Sequence, residues 1–206
     1  MNMNQNQFNG QQPQAQNPPQ MNHGGHELFD LHEDLSGLIG VLDQYLMMKQ
    51  FIKDPELSGI LDRQYHFIAD NYNIIVDCFT TGKDPMKPTE SYKMTQNNTV
   101  TYGLKPSQPK KPAANLQELN DDKVSGQMLG SIKSCASLLT MTALEVTNPV
   151  VRRVIADSVP NFIEMAYELF FYRNKHGYYQ VPRLNPQDMQ TMVNGFGKTT
   201  QSYPLQ

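Results

Sequence analysis

Apolar residues return every three or four positions along two stretches of this chain, and an Asx-Pro dipeptide cuts each stretch near its middle. In the first, Leu28, Leu31, Leu35, Leu38, Leu42, Tyr45 and Ile52 fall on one side of a helix. Asp54-Pro55 ends it, because proline restrains the residue before it yet fits the first turn of a following helix. Leu57, Leu61, Tyr65, Ile68, Tyr72, Ile75 and Phe79 carry the rhythm on, with Gly82 as a stop. The second stretch repeats this plan with Val124, Met128, Ile132, Cys135, Leu139 and Thr142, then Asn148-Pro149. Val151, Ile155, Val159, Phe162, Ala166 and Leu169 follow, up to a Lys175-His176-Gly177 cap. Four helices are predicted, at about 26–52, 56–80, 121–146 and 150–175. Pro160 removes one backbone bond from the fourth and predicts a kink near Asp157.

The polar stretches complete the plan. Residues 81–120 are proline-rich and too long for an ordinary loop. A hairpin, a long crossover and a second hairpin make a ferritin-like four-helix bundle. The fold expected is therefore all-α, with two αα-hairpins forming one bundle over 25–178. Residues 1–24 are dominated by Asn and Gln and predict a disordered tail. Residues 179–206 predict a mobile tail with a short helix near 186–193. Phe170, Phe171 and Tyr172 form an aromatic run that no single helix face can bury, so part of it is expected to meet the crossover or a second chain.

Composition narrows the function classes. The net charge of −3 disfavours a general attraction to nucleic acid, and Lys105, Lys110 and Lys111 read as a solvated linker cluster. No apolar run reaches the roughly 18 residues that span a bilayer, and no secretory signal pattern opens the chain. Retention inside the producing cell is the expectation. Cys78 and Cys135 lack CxxC spacing or flanking histidines and read as buried small hydrophobes, with a disulfide left open.

A bundle of this kind invites a search for two bound iron or manganese ions. That chemistry takes a Glu from each of two helices and Glu-x-x-His pairs from the other two. Here His66 is preceded at the critical spacing by Arg63, Glu164 is followed by Tyr167, and Val124 to Ala143 holds no acid. Glu33, Asp34, Asp62, Asp70, Glu164 and Glu168 supply at most half a site and read as charges on solvated faces. His23, His26 and Glu27, with His32 as a distant fourth, form a weaker zinc candidate on a glycine-loosened segment that reads better as a helix start. No nucleophile elbow, P-loop or dinucleotide fingerprint occurs. The expectation is no metal, no cofactor, no catalytic residue and no enzyme.

Asn148-Pro149-Val150-Val151-Arg152-Arg153, Asn161-Phe162-Ile163-Glu164-Met165-Ala166-Tyr167-Glu168-Leu169-Phe170 and His176-Gly177-Tyr178-Tyr179-Gln180-Val181-Pro182 closely resemble the spore coat protein F family. His23 to Asp30 and Ile60 to Tyr65 resemble the corresponding part of larger coat F-like proteins. The resemblance covers roughly 23 to 182 and implies a ferritin-like bundle made in the mother cell and laid down in the coat of bacillus endospores. It assigns no reaction, and the expectation is a structural protein whose partners are other coat proteins and, through the outer faces of the bundle, copies of itself. The competing reading is a ferritin-like metal-dependent oxidase or catalase protecting the spore. Assembly by cross-linking would draw on tail glutamines, on Lys83, Lys87, Lys105, Lys110, Lys111 and Lys198, and on Tyr178, Tyr179 and Tyr203.

Overall fold

Four long helices come in two pairs of equal length. α1 (Gly25–Lys49) has 25 residues and α2 (Pro55–Thr81) has 27. α3 (Asp121–Glu145) and α4 (Pro149–Lys175) repeat those lengths, 25 and 27. A short α5 (Pro186–Val193) follows. The computed structural model describes residues 23–96 and 98–199. The tail expected before His23, and Tyr203, lie outside the described residues.

The Asx-Pro breaks end one helix and cap the next. Asp54 accepts the N–H of Glu56, Asn148 accepts those of Val150 and Val151, and proline takes the first helical position each time. Gly82 closes α2 in the left-handed region, at φ 64°. α4 runs unbroken through Pro160.

Each long helix packs on two others: α1 on α2 and α3, and α4 on α2 and α3. Contacts fix the directions. Tyr45 meets Gln64 while His23 meets Phe79, so α1 and α2 are antiparallel. Gln44 meets Ser131 while Glu27 meets Thr147, so α1 and α3 are antiparallel too. α2 and α3 therefore run the same way at opposite corners. The chain leaves α2 at the His23 end and re-enters at Asp121, beside Lys53 and Asp54, so the connection travels the helices' length, about 37 Å.

That crossover is not a free linker. Asn161 of α4 donates to Glu90 O (3.0 Å) and accepts the N–H of Tyr92 (2.8 Å). Asn174 donates to Thr101 O (3.0 Å) and accepts its N–H (2.7 Å). Each side-chain amide thus grips extended backbone in both directions, as a neighbouring strand would. Farther on, Tyr102 forms an isolated parallel bridge with Val181. The aromatic run is absorbed within the chain: Phe171 and Tyr172 are buried, and Tyr179 packs edge-on against Phe170 at 5.2 Å.

The buried seams differ from those expected in one respect. On α1 the inward positions are Glu27, Leu31, Asp34, Leu38, Val41 and Tyr45, while Leu28 is 45% exposed. On α2, Gln64 and Asn71 take the places expected of Tyr65 and Tyr72, and on α4 Ser158 and Met165 replace Val159 and Ala166. The stripe predicted for α3 is the buried one. Cys78 and Cys135 are buried free thiols.

Candidate functional site

Glu168, expected on a wet face, is fully buried. The seam position between Met165 and Tyr172 turns it inward, where α2 and the crossover converge. Its Oε1 accepts from Arg63 Nη2 (2.6 Å) and from the N–H of Thr95 (3.1 Å), with the Thr95 hydroxyl at 3.5 Å. Its Oε2 accepts from the Tyr92 hydroxyl and from Gln64 Nε2 (3.3 Å). Gln64 also donates to Met165 O (3.1 Å), and its Oε1 accepts from the Tyr45 hydroxyl (2.8 Å). One carboxylate thereby ties α1, α2, α4 and the crossover together. Burial, and the adjoining carboxylate, push the Tyr92 phenol well above its ordinary range, and burial does the same to Tyr45. Both remain neutral donors.

This arrangement does not fit a metal. Donors already occupy both oxygens of Glu168, and the Arg63 cation stands where a metal ion would. His66 is exposed, as is Tyr167, while Glu33 and Asp70 lie on the surface and Asp62 and Glu164 are half-buried. The structure does not bring the six acids into one site.

Asp34, the other acid misplaced by the periodic reading, is buried on the α1–α3 seam, and neither carboxylate oxygen has a hydrogen bond of good geometry. Burial lifts its pKa from 3.8 to about 6; the nearby Thr142 hydroxyl pulls the other way, and Asp30 adds a small push upward. Burial also pushes the Cys135 thiol up to about 11, with help from Asp34, so the thiol is a poor nucleophile.

Of the zinc candidates, the structure joins His23 and Glu27 and leaves His26 and His32 exposed. His23 Nδ1 lies 2.6 Å from Glu27 Oε1, and its Nε2 lies 2.8 Å from Phe79 O. With acceptors on both sides, no ring nitrogen is left to hold a metal. Glu27 Oε2 accepts the N–H groups of Thr147 (2.9 Å) and Asn148 (3.1 Å) and the Thr147 hydroxyl (2.6 Å). Burial opposes its ionisation, but these bonds with Thr147, His23 and Asn148 outweigh it and hold its carboxyl below the ordinary value. A further cluster joins Asp54, Glu56 and His176 at the opposite end, unnoticed in the sequence because 120 residues separate its parts. Tyr172 already donates to Asp54 (2.9 Å), and the Lys175 ammonium sits 2.8 Å from Glu56. The tail-end rings are also partly engaged, with Tyr178 stacked on His176 at 5.6 Å.

Around Glu168 and Glu27, these hydrogen bonds interlock the helices and the crossover. The spore coat protein F-like protein YhcQ of Bacillus subtilis (strain 168) is 51% identical over 181 residues, spanning 88% of this chain and 83% of its own length. The chain belongs to the spore coat protein F-like family. The Coat F domain model matches residues 120–182, which hold α3, α4 and the bridge at Val181. In fold alone, the chain is similar to the crystal structure of a candidate spore coat protein from Bacillus halodurans C-125. That likeness covers 82% of this chain and 99% of the other, with a TM-score of 0.58 at 16% identity. The family's Coat F segment contains Asn161, Glu168 and Asn174, so the side chains that grip the crossover lie in the matched part.

Proposed function

We propose that this protein is a structural component of the bacterial endospore coat, made in the mother cell and assembled with other coat proteins, without catalytic activity. Its scaffold is read as a ferritin-like four-helix bundle, because two matched hairpins are joined by a connection that runs the helices' length. The observation that carries the reading is Glu168: the interior carboxylate best placed for bundle chemistry is spent on holding four segments together. Family membership supplies the coat.

A fluorescent fusion followed through sporulation tests the location; a ring or cap around the forespore is expected, and diffuse signal in growing cells overturns it. Elemental analysis of protein prepared with iron and manganese tests the rest. Near-zero metal is expected, and about two ions per chain would restore the oxidase reading.

A further inference from the structure

Asp34 lies part-way along the seam that α1 shares with α3. Polar bonds tie that seam on either side of it: the Thr147 hydroxyl donates to Glu27 (2.6 Å), and the Ser131 hydroxyl donates to Gln44 Oε1 (3.0 Å). Between those ties Asp34 is only 2% exposed, and both of its oxygens lack a hydrogen bond of good geometry. The Thr142 hydroxyl beside it, fully buried, lacks one too.

The surrounding charges offer Asp34 no relief. Asp30, one turn earlier on α1, is acidic as well. Among the described residues, the titratable group buried on α3 is Cys135 and that buried on α2 is Cys78, and neither supplies a positive charge. Lys133 and Glu145 of α3, and Asp70 and Asp77 of α2, are exposed. An ionised Asp34 is therefore a buried charge with no cation to meet it, whereas a protonated one is tolerated. The helix is weak in the same place. Gly37 and Gly40 follow within two turns, and glycine is a poor helix former. A side chain at Gly37 would meet Leu138 of α3, so the α1 side of the seam is thin there. Cys135 is a buried free thiol on this stretch, close enough to Asp34 to feel its charge.

We propose that the α1–α3 seam at Asp34 is a proton-set gate, closed while Asp34 holds its proton and opening locally once it is ionised, so that Cys135 becomes accessible to small thiol reagents. The ties at Glu27 and Gln44 confine the opening to the stretch between them. The gate operates whatever the chain assembles with, so its failure leaves the coat assignment intact.

Labelling of the full chain with iodoacetamide under native conditions tests it, with the Cys135 peptide followed by mass spectrometry. Dividing the parent's rate by that of Asp34→Asn at each pH cancels the thiol's own titration. That quotient should rise about tenfold from pH 5 to 7 and level off from 7 to 8, as a carboxyl of ordinary pKa 3.8 when open and about 6 when closed requires. Asp34→Leu as the reference should give the same rise, since it too has no charge to release. At pH 7 the parent's rate should not change with urea below the unfolding transition, because a local opening exposes little surface. A quotient that stays flat with pH would overturn the proposal. So would a labelling rate that climbs with urea in step with unfolding, which would mean that Cys135 is reached only when the whole chain unfolds.

Discussion

Glu27 and Asp121 make the same contact in opposite halves of the molecule. Glu27, in the first turn of α1, accepts the N–H groups of Thr147 and Asn148, just before Pro149. Asp121, in the first turn of α3, accepts those of Lys53 (2.9 Å) and Asp54 (3.3 Å), just before Pro55. Each half therefore closes the helix break of the other, and the duplicated plan of the sequence becomes a reciprocal clasp. Glu27→Ala should cost about 2–4 kcal/mol, since it strands several buried donors, and Asp121→Ala, at a wetter end, about 1 kcal/mol. The sites lie at opposite ends, so the double variant should be additive within about 0.5 kcal/mol in urea unfolding.

The Arg63–Glu168 pair should behave in the opposite way. Glu168→Leu alone leaves the partly exposed Arg63 cation and four other donors without their acceptor, at a cost of about 2–4 kcal/mol. Adding Arg63→Met should cost less than the sum of the single changes by about 1 kcal/mol or more, because the stranded charge is gone. A double-mutant cycle in denaturant measures this coupling directly.

The crossover should loosen without the bundle unfolding. Asn161→Ala removes the acceptor for the Tyr92 N–H and the donor to Glu90 O. Faster amide exchange at Tyr92 is expected, together with earlier proteolytic cutting between Lys83 and Lys105. The global unfolding midpoint should shift by no more than the equivalent of about 1–3 kcal/mol.

Asp34 sets a pH dependence of its own. Its folded pKa, about 6, lies above the ordinary 3.8, so the folded state binds the proton more tightly than the unfolded chain does. The penalty is absent below pH 3.8, grows between there and 6, and is complete above 6. Asp34→Asn should therefore match the parent near pH 4 and exceed it at pH 7 by about 3 kcal/mol. Glu27 runs the other way: its depressed pKa gives stability that is present above 4.5 and lost as pH falls through the folded value. Thermal melts of both proteins from pH 2.5 to 7.5 separate the two trends.

What could be read from the sequence divides along the same residues. The helices and their breaks were visible because Asx-Pro and glycine caps act locally. On α1, α2 and α4 the seams were misread by one position at four inward polar residues: Leu28 stood in for Glu27, Leu35 for Asp34, Tyr65 for Gln64 and Val159 for Ser158. Periodicity follows apolar residues, and each of these polar ones has an apolar neighbour. Glu168 could not be placed from its own surroundings, because its partners at 63, 64, 92 and 95 are distant in the chain. Tyr92, an aromatic residue in the polar crossover, was the available hint. The self-sufficient grip of Asn161 and Asn174 on backbone gives no pattern at all.

The clasp at Glu27 also bears on how the chain is made. Glu27 is synthesised 120 residues before Thr147, the first of the second-half backbone donors it holds. At about 5–20 residues per second, Glu27 waits roughly 6–24 s before these donors exist. During that time the inward faces of α1 and α2, with Glu27, Asp34 and Gln64 among them, have only each other to cover them. The nascent first half is therefore the stage at which this protein most needs a chaperone or freedom from crowding by its own kind.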